Sequence, residues 1–167
     1  MNCIKKIAQG DMDALQNLYE MYKIPVYRLV FSMTKNRDLA EDITQDTFLR
    51  IQEKAGTYHQ NISEASWIYT IARNLTYDML RKRSREACEE VDTETLPPSQ
   101  IGNPENGSYA FLDLIKNLSD KDAEVVSLRI VAELSFKEIG KITKSTSQAC
   151  SKRYIRALAK LREEWNT

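Results

Sequence analysis

Serine caps and basic side chains between residues 133 and 163 form the part of the sequence best suited to binding chemistry. Ser135 stands three residues before Glu138, and Ser145 stands three residues before Gln148. A serine hydroxyl at this spacing accepts hydrogen bonds from the free backbone N–H groups at a helix start. The spacing therefore predicts two helices joined by a tight turn.

The predicted second helix separates positive charge from apolar character. We expect the turn at residues 143–146 and the helix at about 146–162. The basic residues are Lys137, Lys141, Lys144, Lys152, Arg153, Arg156, Lys160 and Arg162, and the expected apolar stripe is Ile139, Ile142, Ala149, Cys150, Ile155, Leu158 and Leu161. A helix with one basic face can enter the major groove of DNA. A solvated surface helix would also explain the charges, but the paired caps and the one-sided sign of charge favour DNA binding.

Charge is segregated along a chain whose net charge is zero. Residues 73–85 hold five basic side chains against one acidic one, whereas residues 86–108 hold six acidic side chains and no basic one. Three of the four prolines also fall in the acidic segment, as is typical of a linker. The apolar spacing on each side is helical. We predict an all-α protein with two small helical domains, residues 1–85 and 109–167, joined by a flexible acidic linker at 86–108.

Several classes of site and location are disfavoured by composition. The three cysteines are widely spaced, so neither a disulfide framework nor a zinc site is expected. The single histidine, His59, has no nucleophile and base arrangement around it in the sequence. We therefore expect no catalysis, cofactor, metal or small-molecule substrate. No apolar run is long enough to cross a bilayer and no signal peptide core is evident, so we expect a cytoplasmic protein without direct membrane insertion.

The predicted helix over residues 37–54 has two distinct sides. Leu39, Ile43, Phe48 and Ile51 can face a core, while Asp42, Gln45, Asp46 and Leu49 share another side at helical spacing. That second side is acidic with an apolar edge. It suits either a solvated surface or a docking surface for a basic partner, and spacing alone leaves both possibilities open.

The predicted helix over residues 66–83 combines core positions with a cationic side. Trp67, Ile68, Ile71, Leu75 and Met79 are expected to pack inward, while Thr70, Arg73, Asn74, Tyr77 and Arg81 lie on the other side. Arginines, an amide and an aromatic ring at this spacing suit single-stranded nucleic acid. A plain amphipathic helix remains the alternative. Before these two helices, we expect one helix capped by Asp11 and a second that begins after Pro25.

Four segments together resemble the extracytoplasmic-function (ECF) group of bacterial sigma factors, the smallest members of the sigma-70 family. They are AQGDMDALQNLYEMY (8–22), DLAEDITQDTFLRI (38–51), SWIYTIARNLTYDMLRKR (66–83) and LSFKEIGKITKSTSQACSKRYIRALAKLR (134–162). The resemblance runs nearly from end to end. It implies a helical region 2, a flexible linker and a helix-turn-helix region 4.

The resemblance also implies roles for the surfaces. Asp42, Gln45 and Asp46, with Leu49 at the edge, match the helix that docks on the β′ clamp helices of core RNA polymerase, and the β flap is a further expected partner. The following loop, residues 55–65, and the next helix correspond to the part that captures a flipped base of the minus-ten promoter element. The expected minus-ten residues are Tyr58, His59, Asn61, Ser63, Thr70, Arg73, Asn74, Tyr77 and Arg81.

Region 4 of the family binds the minus-thirty-five element of promoter DNA as a duplex. The matching residues here are Lys144, Gln148, Ser151, Lys152, Arg153 and Arg156. Many relatives have glycine in the turn where this chain has Lys144, so a positive φ is expected at that lysine. Family members are commonly held inactive by an anti-sigma factor, which adds a further expected partner.

Two other classes of protein remain possible from the sequence. A helix-turn-helix repressor or activator would act without polymerase, and it would form a dimer on a palindromic duplex. The acidic side at residues 42–49 and the cationic side of helix 66–83 favour the sigma factor, because a simple repressor needs neither. An enzyme acting on nucleic acid is the least favoured, because no catalytic arrangement is evident.

Overall fold

The structure, a computed structural model, describes residues 2–89 and 107–166. Those residues form helices and connecting turns, with no β-strand among them. The helices are α1 (Cys3–Ala8), α2 (Met12–Thr34), α3 (Arg37–Lys54), a short 3₁₀ helix (Ala55–Thr57), α4 (Glu64–Glu89), α5 (Gly107–Ile115), α6 (Asp120–Ile130), α7 (Phe136–Thr143) and α8 (Ser147–Trp165). The prediction of an all-α protein is confirmed.

Helix α3 has the bounds that the sequence predicts. It begins after Asn36, whose side chain accepts a hydrogen bond from the backbone N–H of Leu39 at 3.0 Å. The four residues expected to face the core, Leu39, Ile43, Phe48 and Ile51, are all buried. Their spacing therefore orients the helix correctly and leaves the acidic side outward.

Helix α2 is continuous, so the prediction of two helices divided at Pro25 is wrong. Asp11 caps the start as expected, and its carboxylate accepts a hydrogen bond from the Ala14 N–H at 3.0 Å. Proline removes one backbone donor and costs a helix interior about 3 kcal/mol. Apolar side chains on both sides of Pro25, including Leu18 and Val26, are fully buried. Packing of the two halves against the same core outweighs this cost.

Helix α4 is longer than predicted at both ends. Ser63 precedes it, and its hydroxyl accepts a hydrogen bond from the Ser66 N–H at 3.1 Å. The helix continues through residues 84–89, so the start of the proposed acidic linker is helical. The last two residues of that linker, 107 and 108, begin α5. Residues 90–106, which include the three linker prolines, lie outside the described residues.

The helix-turn-helix is formed by α7 and α8. Ser135 and Glu138 make the predicted capping box at the start of α7. Lys144 ends the helix with φ of 54°, as expected for a position where relatives have glycine. Thr146, rather than the predicted Ser145, caps α8 and accepts a hydrogen bond from the Ala149 N–H at 3.0 Å. Ser145 instead completes the turn, because its N–H bonds to the Gly140 carbonyl at 2.8 Å.

The buried side of α8 differs from the predicted stripe. Cys150, Ala157 and Leu161 are buried, whereas Ala149 is exposed and Ile155 is 62% exposed. The buried residues follow offsets of seven and four, which is the helical repeat. Ile155, five residues after Cys150, is rotated by about 140° from this row. It therefore faces outward among the basic side chains.

The helices before and after the acidic segment pack on each other. Helix α6 lies against α2, and α7 contacts α4. The apolar core is continuous from Ile4 to Leu161 within the described residues. Lys35, after α2, donates hydrogen bonds to the carbonyls of Ile115, Lys116 and Leu118 at 2.8–3.0 Å. The C-terminal helices thus rest on the N-terminal bundle through both apolar and polar contacts.

Replacing Gly140 by alanine should destabilise the helix-turn-helix. A Cβ at this buried position would lie 2.8 Å from the Ser145 carbonyl oxygen and 3.2 Å from the Ser147 nitrogen. The turn backbone must move, and we expect the free energy of unfolding to fall by about 1–3 kcal/mol in urea titrations. Gly56→Ala is the control, because its Cβ would meet nothing within 4 Å. Equal stability of the two variants would contradict this account of the turn.

Candidate nucleic-acid and protein interfaces

The acidic side of α3 is an open surface. Asp42, Gln45, Asp46 and Leu49 are all exposed, and Leu49 has 60% of its surface accessible. The apolar edge continues on the neighbouring helix, where Met12 is 60% exposed. The Gln52 amide nitrogen lies 3.9 Å from the Met12 sulfur and joins the two parts. This surface combines carboxylates with apolar contact area, which is the composition that a basic protein partner recognises.

The loop between α3 and α4 is held by Tyr58. Its side chain is buried, its hydroxyl donates to the Ile62 carbonyl at 2.8 Å, and its ring packs edge-on against Trp67 at 5.3 Å. In this conformation the ring packs the loop onto the core, and the minus-ten contact predicted for Tyr58 stays a prediction. His59, Asn61 and Ser63 are exposed, as a nucleic-acid contact requires.

The outward side of α4 carries two of its predicted nucleic-acid residues in open positions. Asn74 and Arg81 are exposed, and Arg81 makes only a long contact of 3.9 Å with Asp78. Thr70 is half-buried and its hydroxyl donates to the Ser66 carbonyl at 2.7 Å. The amide and the guanidinium therefore remain available to a ligand, whereas the threonine hydroxyl is already engaged.

The other two predicted residues of α4 are occupied by a carboxylate from α6. Glu124 is only 3% exposed, and it pairs with the Arg73 guanidinium. The Tyr77 hydroxyl donates to the same carboxylate at 3.0 Å, and the Arg73 guanidinium lies 4.5 Å from the centre of the Tyr77 ring. Burial, followed by the negative charge of Glu124, raises the pKa of Tyr77. Arg73 and Tyr77 are thus both engaged by one carboxylate of α6.

Most residues predicted to bind duplex DNA are exposed on α8 or in the turn before it. Lys144, Gln148, Lys152 and Arg156 are exposed, and Ser151 is half-buried. Cationic side chains along one helix face supply contacts to phosphates, and outward polar side chains can reach base edges. The exposed Ile155 adds an apolar group among them.

Arg153 differs from the other duplex-binding candidates because it has an acidic partner. Its guanidinium bonds to Asp122 at 2.9 Å, and the Lys160 ammonium lies 3.4 Å from the other oxygen of that carboxylate. Burial acts to raise the pKa of Asp122, but hydrogen bonds with Ser119, Arg153 and Lys160 outweigh it and leave the pKa below its usual value. This ion pair fixes α8 on α6.

Three charged residues in this arrangement are missing from the sequence predictions. Asp122 lies in the first turn of α6, where acidic residues ordinarily compensate the helix dipole from solvent, and Glu124 follows in the next turn. Lys35 follows the last residue of α2 and has a left-handed backbone conformation. The burial of Asp122 and Glu124 and the hydrogen bonds of Lys35 follow from contacts between distant helices, and no local pattern in the sequence signals them. The structure groups no three potential metal ligands among the described residues.

Comparisons with known proteins agree with the arrangement of the two halves. Residues 18–86 match the family model for sigma-70 region 2, and residues 114–163 match the model for sigma-70 region 4. The ECF RNA polymerase sigma factor SigW of Bacillus subtilis is 35% identical over 153 residues, which cover 83% of this chain and 82% of that protein. The chain belongs to the ECF sigma factors.

Other relatives of this ECF sigma factor differ in length. BldN of Streptomyces coelicolor is 31% identical over 96% of this chain, which spans 65% of BldN. CarQ of Myxococcus xanthus is 30% identical over 96% of this chain and 94% of CarQ. The fold is shared with the sigma factor RpoE of Bartonella quintana, solved with the anti-sigma factor NepR, at a TM-score of 0.72 and 22% identity, with 91% of this chain and 96% of that chain covered.

Removal of the Asp122 carboxylate should weaken the fold in a pH-dependent way. A depressed pKa stabilises the folded state above the unfolded pKa, near 3.8, and this contribution disappears as the pH falls through the lower folded pKa. Asp122→Asn should therefore lower the free energy of unfolding at pH 7 by about 1 kcal/mol, a value reduced by the solvent exposure of Lys160. The difference from the original protein should shrink below pH 4.

Urea titrations between pH 3 and pH 7 measure this difference. Asp78→Asn is the matched control, because the Asp78 side chain is 71% exposed. A loss of stability in Asp122→Asn that stays constant across the whole pH range would argue against the ion pair as its cause.

Proposed function

We propose that this ECF sigma factor directs core RNA polymerase to specific promoters and helps to melt the minus-ten element. The observation that carries the proposal is the match of sigma-70 region 2 and region 4 in the same chain and in this order. The work of the chain is binding, and core polymerase supplies the chemistry. A cytoplasmic location follows from that partner. No described helix is both long and apolar enough to span a membrane.

The acidic side of α3 is the proposed contact with the β′ clamp helices. Asp42, Gln45, Asp46 and Leu49 form one exposed strip, and the opposite side of the same helix is fixed in the core. Carboxylates on a rigid helix can accept charge-assisted hydrogen bonds from arginines of a partner. The apolar edge at Leu49 adds area that a partner can bury. The β flap is the proposed second contact, with region 4.

The loop and the outward side of α4 are the proposed minus-ten site. The loop supplies the exposed residues His59, Asn61 and Ser63, and α4, which follows it directly, supplies the exposed Asn74 and Arg81. Amide groups can bond to the edge of an extruded base, and arginines can bind the strand phosphates. Arg73 and Tyr77 lie on the same side of α4, and both bond to Glu124. Tyr58 supports this site by holding the loop in place.

Helix α8 is the proposed binding element for the minus-thirty-five promoter DNA. Its exposed Lys152 and Arg156, with Lys144 in the turn and Gln148 near the helix start, line the side opposite Cys150, Ala157 and Leu161. Such a helix contacts phosphates with its cations and base edges with its polar groups. Two weak DNA contacts in one complex reinforce each other because each raises the effective concentration of the other.

An anti-sigma factor is the proposed regulatory partner. RpoE of Bartonella quintana was solved with the anti-sigma factor NepR, and CnrH, which shares the fold at a TM-score of 0.70, was solved with the cytosolic domain of CnrY. Both structures are under 25% identical to this chain, so they support the fold and leave the identity of the partner open.

Reconstituted transcription tests the proposal. Purified chain is added to bacterial core polymerase on fragmented genomic DNA, and the 5′ ends of the transcripts are sequenced. Initiation restricted to a shared promoter motif is expected. Binding to a palindromic duplex as a dimer, with no effect on polymerase, would support the repressor or activator and overturn the sigma assignment.

Asp46→Asn should weaken polymerase binding without changing duplex binding. The substitution keeps the side-chain shape but removes the charge that arginines of the clamp would recognise, and we expect about a tenfold higher Kd for core polymerase, equivalent to about 1.4 kcal/mol. Fluorescence anisotropy of labelled protein with core polymerase measures it. Glu20→Gln removes the same charge from an exposed side chain of α2 and should leave the affinity unchanged. Equal losses in both variants would mean that overall charge, rather than the α3 surface, controls binding.

Arg156→Ala should reduce both the affinity for promoter duplex and its salt dependence. Loss of one phosphate contact should flatten the slope of log K against log salt by about 1. Ile155→Ala is the matched control on the same side of α8, because it removes an exposed but uncharged side chain. Its salt slope should equal that of the original protein. An unchanged slope in Arg156→Ala would remove that residue from the interface.

A further inference from the structure

A tyrosine side chain closes the turn in the loop before α4. The Tyr58 hydroxyl donates to the Ile62 carbonyl at 2.8 Å and so encloses residues 59–62. Within the turn, the Ile62 N–H bonds to the His59 carbonyl at 3.5 Å, which is long for a backbone hydrogen bond. The shorter tyrosine bond is therefore the stronger restraint on a turn whose side chains are exposed.

The Tyr58 ring is itself fixed against α4. It is 8% exposed, and it packs edge-on against Trp67 with 5.3 Å between the ring centres. A ring packed in this way keeps one rotamer, so its hydroxyl stays at one place relative to the helix. The hydroxyl thereby relates the turn to the outward side of α4, where Asn74 and Arg81 are exposed.

A second contact reaches the same hydroxyl from the start of α1. The Asn2 amide nitrogen lies 3.4 Å from the Tyr58 hydroxyl oxygen, across 56 residues of sequence. The amide oxygen of Asn2 accepts a hydrogen bond from the Ile4 N–H at 2.9 Å and caps α1. Because the cap uses the oxygen, the nitrogen donates to the hydroxyl, whose own proton is left for the Ile62 carbonyl.

Helix α1 is anchored on both of its neighbours. Ile4 and Ile7 are buried, and the Cys3 thiol donates to the Ala14 carbonyl of α2 at 3.2 Å. The Cys3 N–H bonds to the carboxylate of Glu64, the first residue of α4. Burial raises the pKa of Glu64, and this hydrogen bond acts in the opposite direction. The start of α1 is therefore held beside the loop, where Asn2 can restrain it.

We propose that Asn2 and Tyr58 are positioning residues of the minus-ten site, which hold the turn at residues 59–62 in the shape that selects the extruded base. The proposal rests on the sigma function argued above, and neither side chain has to touch DNA. A turn that is ordered before binding loses less freedom when the base enters. It also holds His59 and Asn61 at fixed positions, so a base of the wrong shape finds no adapted partner.

Two other roles for Tyr58 make different predictions. If the side chain only stabilises the bundle, its replacement lowers the fraction of active protein, and the affinities for all DNA sequences fall together. If the ring stacks on a base, Tyr58→Phe binds like the original protein, because phenylalanine keeps the ring. Positioning instead predicts that loss of the hydroxyl alone changes the ratio of affinities for two bases, a ratio that the active fraction does not affect.

Base selectivity is measured with the complex of this chain and core polymerase. The DNA is a promoter found in the transcription experiment, labelled and opened at the minus-ten element by mismatches, so that the cost of melting drops out of the comparison. Each non-template base of the element is replaced in turn, and the Kd is determined by fluorescence anisotropy. Selectivity is the Kd for the replaced base divided by the Kd for the original base.

Tyr58→Phe is the first variant. Its selectivity at the position of the extruded base should fall about fivefold, equivalent to about 1 kcal/mol, which is the net contribution of a typical hydrogen bond. The affinities for core polymerase and for minus-thirty-five duplex should not change. Tyr19→Phe is the matched control, because it removes a hydroxyl from a ring of α2 that packs on Phe48. This control should keep the original selectivity.

Asn2→Asp is the second variant. Aspartate caps a helix as well as asparagine does, but it offers the Tyr58 hydroxyl an acceptor in place of a donor. The hydroxyl proton is then drawn away from the Ile62 carbonyl, and we expect selectivity to fall about threefold. Gln9→Glu makes the same amide-to-carboxylate change at the exposed end of α1. An added negative charge alone weakens binding of every sequence alike, so the control should keep the original ratio.

The outcomes separate the positioning role from the sigma function. Unchanged selectivity in both variants, alongside a clear base preference of the original protein, would overturn the positioning role and leave the sigma function standing. Equal losses in the variants and their controls would also overturn it, because the effect would then come from general destabilisation. If the original protein shows no base preference in the opened element, the minus-ten site itself is wrong, and the positioning role is lost with it.

Discussion

The buried ion pair between Arg73 and Glu124 constrains how the two sigma regions lie on each other. Removing a carboxylate from water is costly unless a cation and further donors satisfy it, and Glu124 has both Arg73 and Tyr77. The pair tolerates little displacement of α6 along α4. The apolar contact of α6 with α2 buries surface between the two regions. The ion pair then selects one position of α6 among those that such a contact would allow. The position of α6 in turn sets where the other C-terminal helices lie relative to the N-terminal bundle.

Each functional surface lies on a helix whose other side is fixed in the core. In α3 the row Leu39, Ile43 and Ile51 is buried, which turns Asp42 and Asp46 outward. In α8 the buried Cys150, Ala157 and Leu161 have the same effect on the basic residues. The side chains proposed to meet a partner therefore lie on helices fixed by the core, and less conformational freedom would be lost on binding. The net charge of zero hides this separation into one acidic and two basic surfaces.

Local patterns in the sequence predict most of the fold and part of the site. The period of α3 and the capping box of Ser135 and Glu138 depend on neighbours in sequence, and both are found as expected. The uninterrupted α2 at Pro25 and the outward Ile155 depend on packing against distant helices, which overrides local propensity. The burial of Glu124 has the same origin. Tertiary contacts, rather than residue type, decide which charges are available to a ligand.

The availability of the surfaces also implies an order of events. In this conformation Arg73 and Tyr77 bond to Glu124, while Asp42, Gln45 and Asp46 are exposed on α3. A carboxylate of the same chain competes with an external anion at high effective concentration. A ligand for Arg73 would therefore have to displace Glu124 first, whereas a basic partner for the α3 surface would meet no such competitor, and binding at α3 would be the easier first step.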